Sequence, residues 1–124
     1  NRRRFPLSVL EAVRAAWSGE KPLAVALSAS DRARGGNRLA DTVEVAKALK
    51  VHGCDLILIY TGQTIPDDRP TSDFATFAHA ADVIRTEAAI PTLATGYATT
   101  SNHVNTLLAG GRADLSLFWQ RERE

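Results

Sequence analysis

Two hydrophobic periods take turns along this chain. Leu10, Val13 and Trp17 recur at helical spacing, and Ser8-Val-Leu-Glu11 has the form of a capping box, so a helix running to about Trp17 is predicted. Ser18-Gly19-Glu20-Lys21 ends it. Leu23 to Ala29 then alternates with period two, placing Leu23, Val25 and Leu27 on one face of a strand and Ala24, Ala26 and Ser28 on the other. A second helix covers Asp41 to Lys50, with Val43, Ala46 and Leu49 facing inward, and His52-Gly53 stops it. Asp55 to Tyr60 is apolar on both faces, as buried parallel strands are. A third helix spans about Asp73 to Glu87 and a third strand Ile90 to Thr95. A fourth helix runs from a cap at Ser101 to Leu108, and a fourth strand covers Ala113 to Phe118.

The result is α-β repeated four times. The polar loops follow strands: Ser30 to Arg38, Thr61 to Ser72 and Gly96 to Thr100. That asymmetry marks an α/β unit whose chemistry sits at the carboxyl ends of parallel strands. Strands paired in sequence order would put all helices on one face and curl the sheet as part of a barrel. A reversal of order would put helices on both faces in a doubly wound fold. The pattern is compatible with both. Length favours the first as a half, since a full (β/α)8 barrel takes about 250 residues and this chain has 124.

Composition narrows the function classes. Lys and Arg number 15 against 14 Asp and Glu, so nothing global points to nucleic acid or a membrane surface. No apolar run approaches the ~20 residues of a membrane helix. The start, NRRRFPL, has no apolar stretch behind it and does not read as a secretory leader. The one cysteine, Cys54, suits a reducing compartment, so a cytoplasmic location is expected. The chain contains no methionine, which reads as a piece of something longer.

Several stretches carry a family resemblance. Asn1-Arg2-Arg3-Arg4-Phe5-Pro6 resembles the N-R-x-R-F-P stretch of the old yellow enzyme family, flavin-dependent NAD(P)H oxidoreductases on a (β/α)8 barrel. The likeness continues through Leu27-Ser28-Ala29-Ser30-Asp31, Gly35-Gly36, Gly53-Cys-Asp-Leu-Ile57, Ile84-Arg85 and Gly110-Gly-Arg-Ala-Asp-Leu115, and covers essentially the whole chain. Gly62-Gln63-Thr64-Ile65-Pro66-Asp67 is similar to the reductase-like barrel domain of anthraniloyl-CoA and salicylyl-CoA hydroxylases.

The resemblance implies that residues 1–124 form a single unit: the C-terminal half of a TIM barrel, from the helix before strand five through strand eight. It also implies FMN as cofactor, with NAD(P)H and a small-molecule or acyl-CoA substrate as partners of the complete enzyme. The family's strand-five arginine, which faces flavin N1 and O2, corresponds to Ala26 here. The phosphate-binding glycine after strand seven corresponds to Gly96, flanked by Thr95 and Tyr97. The glycine-arginine pair ending strand eight corresponds to Trp119 and Gln120, although a slip of one residue would bring Arg121 into place. Leu58, Tyr60 and Thr61 stand where strand six of the family ends with an acid and two serines, and Ser72-Asp73-Phe74 where the acyl-CoA subgroup has tyrosine-glycine-arginine. The resemblance thus implies weak or lost FMN binding and no catalytic residue within this chain. A charge-assisted hydrogen bond contributes roughly 1.5–3 kcal/mol.

Other candidates read more plainly. Gly35-Gly36 with Arg32, Arg34 and Arg38 can clamp a phosphate or CoA group, but the loop has no P-loop or dinucleotide fingerprint. Arg2-Arg3-Arg4 offers a site for a polyanion, but reads first as a solvated approach to a helix with one or two structural ion pairs. His52 lies opposite the expected site, His79 with Asp82 forms an i, i+3 surface pair, and His103 is the histidine nearest the functional face. Asp67, Asp68 and Arg69 read as a turn with solvated charges. Cys54 reads as packing, and no spacing resembles a metal site.

Half a barrel leaves what should be its interior wet, with Leu56, Leu58 and Tyr60 exposed on one strand. The chain is therefore expected to need its missing half, a second copy or an edge-to-edge dimer. Two other readings stand beside the oxidoreductase: a non-catalytic half-barrel serving structure or assembly, and a small phosphate-binding α/β domain.

Overall fold

The structure is a computed structural model in which residues 2–62, 64–68, 74–95 and 100–118 are described. Helices and strands alternate as α1 (Arg4–Ala16), β1 (Ala24–Ser28), α2 (Leu39–Val51), β2 (Leu56–Tyr60), α3 (Phe74–Ala88), β3 (Thr92–Ala94), α4 (Ser101–Ala109) and β4 (Leu115–Ser116). The sheet order is β1-β2-β3-β4, and every neighbouring pair is parallel. This decides between the two topologies. Sequential parallel strands with right-handed crossovers keep the helices on one side. The doubly wound alternative is absent.

Burial agrees. On β2, Ile57 and Ile59 are fully buried toward the helices, whereas Leu56 and Leu58 are half-buried and Tyr60 is exposed. The register carries the same division across the sheet: Ala26, Leu58, Leu93 and Leu115 form one in-line row on the face left uncovered among the described residues. The helix side holds the core, with Val43, Ala46 and Leu49 of α2, Ala78, Ala81 and Ile84 of α3, and Leu107 of α4. Ala78 and Ala81, small and fully buried, let α3 pack close within this core.

Several element ends differ from the sequence reading. The first helix begins at Arg4, not at Ser8; Pro6 is tolerated there because first-turn N–H groups have no intrahelical acceptor. Ser8 Oγ instead donates to the Arg4 carbonyl inside the helix. Leu10 is buried as expected, but Val13 and Trp17 are exposed and, with Phe5 and Val9, form an outward apolar stripe. The α2 N-terminus is closed by Asp41, whose carboxylate accepts the Arg38 N–H at 2.9 Å. Thr100, not Ser101, caps α4, its hydroxyl accepting the His103 N–H. The third strand starts after Pro91, which cannot donate to the ladder. The fourth is shorter than expected, an edge strand paired on one side.

One device occurs twice at the amino ends of the strands. Asp55, just before β2, accepts the Leu23 N–H beside β1 and the Arg14 guanidinium from α1, and Arg14 also donates to the Gly53 carbonyl. Asp114, just before β4, accepts the Thr92 N–H of β3 and the Arg85 guanidinium from α3, and Arg85 also donates to the Gly111 carbonyl. Each arginine–aspartate clamp ties a helix, a turn and two strand starts together. Burial pushes the Asp114 carboxyl up, but the Thr92 N–H and the Arg85 charge outweigh it and hold the group below its ordinary value.

Candidate functional site

All four strands point the same way, so the loops that follow them share one rim. The end of β1 is fixed by Thr42 in the first turn of α2, whose hydroxyl donates to the Ser28 and Ala29 carbonyls. Gly62 follows β2 with φ +77°, and its N–H donates to the Ser30 carbonyl. Arg32, itself in the left-handed region at φ +51°, pairs through Nε with Asp68 Oδ1 at 3.2 Å. The Asp68 side chain is only 7 % exposed. A side chain on Gly62 would lie 2.7 Å from Asp68 Oδ2 and 3.0 Å from Arg32 Cδ, so glycine lets this ion pair close over the backbone. The pair latches the loop after β1 to the loop after β2.

This overturns the reading of Asp68 as a solvated turn residue; Asp67 is exposed as expected, and Arg69 lies outside the described residues. Sequence separation hid the latch, since Arg32 and Asp68 belong to different loops. Gly62 was the available signal.

The other predicted positions fall as follows. Ala26 sits exposed on the uncovered face of β1, opposite Leu58. Thr95 closes β3 at the rim, its hydroxyl donating to the Ile59 carbonyl at 2.6 Å. Gly96, Tyr97, Trp119, Gln120 and Arg121 lie outside the described residues, as do Ser72 and Asp73. His103 stacks on Phe74 with ring centroids 4.9 Å apart. Its Nδ1 and Thr92 Oγ1 are buried without a hydrogen-bond partner among the described residues. A cavity of about 10 Å³, the size of one water, lies near Phe74, Thr95, Leu107 and Ser116.

His52 lies away from the rim, its Nε2 3.2 Å from Glu11 and its Nδ1 on the Ala48 carbonyl, which ties α1 to α2. His79 is exposed. Cys54 is buried, and that burial pushes its thiol above its ordinary value. A shallow cleft of about 410 Å³ between α1 and α2, lined by Arg3, Glu11 and Ala48 among others, opens on the helical side. Among the described residues no three His, Cys, Asp or Glu side chains are placed to hold a metal, and no helix is long and apolar enough to cross a membrane.

The uncovered face therefore offers an apolar floor of Ala26, Leu58, Leu93 and Leu115, edged by the Tyr60 ring at the rim. Such a floor fits the flat face of an aromatic ring system. None of the residues in that row carries a charge.

Comparison with known proteins gives this arrangement its context. Residues 1–121 match the NADH:flavin oxidoreductase / NADH oxidase family. The chain belongs to that family, the old yellow enzymes. It is 40% identical over 123 residues to an NADPH dehydrogenase of Bacillus licheniformis, covering 98% of this chain and 35% of that protein. It is 36% identical over 122 residues to an NADPH dehydrogenase of Halalkalibacterium halodurans, with the same shares. The chain thus spans about a third of the length of these relatives. The fold superposes on a solved 2-naphthoyl-CoA reductase complexed with 2-naphthoyl-CoA, with TM-score 0.82 and 22% identity over 94% of this chain and 18% of that one. The four β/α repeats are part of a TIM barrel.

Proposed function

We propose that this chain is the C-terminal part of an FMN-dependent NAD(P)H oxidoreductase whose flavin site is weakened. FMN, when bound, supplies hydride transfer between a nicotinamide and an acceptor. The chain's own contribution is the apolar floor for the ring and Thr95 at the rim. By the family resemblance Gly96 and Tyr97 would serve the phosphate beside Thr95, and Trp119 and Gln120 take the remaining phosphate positions. The observation that carries the weakening is Ala26, a methyl group on the face where the family resemblance calls for a guanidinium. Loss of one charge-assisted contact of ~1.5–3 kcal/mol weakens binding roughly 10- to 150-fold.

Closure of the barrel belongs to the same proposal. The apolar floor, the two open sheet edges and the Phe5-Val9-Val13-Trp17 stripe are the surfaces that further β/α units would cover. They come from the rest of a longer chain or from a second copy.

Titration with FMN, read by quenching of flavin fluorescence, tests the assignment. Wild type is expected to bind weakly and Ala26→Arg about tenfold or more tightly. Absence of binding by both at millimolar FMN would reject the flavoprotein reading. The uncharged floor would then favour the alternative, a non-catalytic half-barrel used in assembly.

A further inference from the structure

The loop after β1, Ser30 to Arg38, is built against the usual preferences of a stable loop. Arg32 takes a left-handed conformation that bulky residues avoid. Arg38 occupies the N-cap of α2, where a cation faces the positive end of the helix and where Ser, Thr, Asp or Asn are normal. Arg34 and Arg38 are exposed, and among the described residues neither is joined to an acid. The nearby acids are already committed. Asp31 Oδ2 accepts the Asn37 N–H at 2.7 Å, Asp41 accepts the Arg38 N–H, and Asp68 holds Arg32.

The fold adds another cation from far away in sequence. Arg2, just before α1, donates Nη1 to the Gly35 carbonyl at 3.4 Å, at the tip of the same loop. The loop itself is braced: Asp31 N–H donates to the Asn37 carbonyl, and Gly36 N–H donates to the Ala33 carbonyl. A side chain on Gly36 would lie 2.7 Å from Asp31 Cβ, so the brace requires glycine there. Arg2 thus meets, at the Gly35 carbonyl, a braced loop that itself carries the exposed Arg34 and Arg38 and follows the carboxyl end of β1. Cations gathered on one loop without acidic partners favour an anion carrying more than one phosphate.

We infer that Arg2, Arg34 and Arg38 form a docking point for the phosphorylated adenosine tail of a cofactor or substrate. The chemistry is an adenosine carrying a ribose phosphate and a 5′-phosphate. That chemistry is shared by the 2′-phosphorylated tail of NADPH and the 3′-phosphorylated tail of coenzyme A. The choice of these two ligands, but not the anion site, rests on the oxidoreductase reading.

The experiment titrates the 124-residue chain with 2′,5′-ADP and 3′,5′-ADP by calorimetry, at low and at physiological salt. Binding is expected to weaken as salt rises and to fall about tenfold or more in Arg34→Ala/Arg38→Ala. Lys47→Ala, an exposed lysine on α2 paired with Glu44, is expected to bind as wild type does. Preference for one tail names the source; equal binding that is lost in the double variant supports the shared phosphate chemistry. No binding of either tail by wild type, or a double variant that binds as tightly, overturns the inference. Arg34→Lys/Arg38→Lys, which keeps both charges, is expected to retain binding, and its failure to do so in a folded chain would also overturn it. FMN titration of the same samples separates the two proposals: tails bound without flavin keep the docking point and reject the flavoprotein reading.

Discussion

Gly35 and Gly62 have almost the same backbone conformation, φ +76° and +77°, but different surroundings. Alanine at Gly35 meets nothing within 4 Å. Its cost is the left-handed backbone alone, about 1–2 kcal/mol. Alanine at Gly62 carries that cost and also places a methyl 2.7 Å from the Asp68 carboxylate and 3.0 Å from Arg32 Cδ. Asp68 must then move, and its 3.2 Å pairing with Arg32 opens. Breaking a fully buried pair costs ~3–5 kcal/mol. Arg32 is 39 % exposed here, so solvent takes over part of the lost contact and about 1–2 kcal/mol is the expected increment. Gly62→Ala should therefore destabilise by about 3 kcal/mol and Gly35→Ala by about half of that. Urea unfolding at unchanged slope measures both. Adding Asp68→Ala should shrink the extra cost at Gly62, because the two sites are coupled. Equal losses for the two glycine variants would refute the latch as a contributor to stability.

Thr92 is fully buried with its hydroxyl unpartnered among the described residues, so Thr92→Val should raise stability by about 1 kcal/mol in thermal or urea unfolding. Asp114 has a depressed carboxyl in the folded chain, so its stabilisation is complete above the ordinary carboxylate range and is lost as pH falls through the lower folded value. The stability gap between wild type and Asp114→Asn should accordingly be open at neutral pH and close progressively below about pH 4, as read from urea midpoints. Ile59→Ala, which empties a fully buried site, should cost about 2–5 kcal/mol at any protein concentration. Leu58→Ala, on the uncovered face, should cost little in dilute solution and progressively more where chains associate, as followed by ultracentrifugation.

The repeats were legible because each carries its own period. Alternation across Leu23–Ser28 separated the two faces of β1 correctly, down to Ala26 on the uncovered side. Strand order was not legible, since periodicity fixes which way a side chain points and not which strand lies beside it. The same limit explains α1: helical spacing found the stripe through Val13 and Trp17, but the side of α1 that packs inward is the one carrying Leu7 and Leu10. Caps slipped by a few residues where two polar candidates stood close together, as at Thr100 and Ser101. At the rim, the latch and the Arg2–Gly35 contact join residues more than thirty positions apart, and only a glycine marked either place. The paired clamps at Asp55 and Asp114 were not legible either, since each joins an arginine and an aspartate from distant segments and the glycine-to-aspartate spacing differs between the two turns.

Those clamps divide labour within the molecule. Both grip the sheet at the pole opposite the ligand loops, and each holds one adjacent strand couple by itself. Loops at the far pole can therefore lengthen, shorten or exchange residues without slackening the anchorage beneath them. A polypeptide organised in this way can drift in what it recognises long before it loses its shape. The boundary between the two clamped couples, between β2 and α3, is the natural joint at which such modules could be traded.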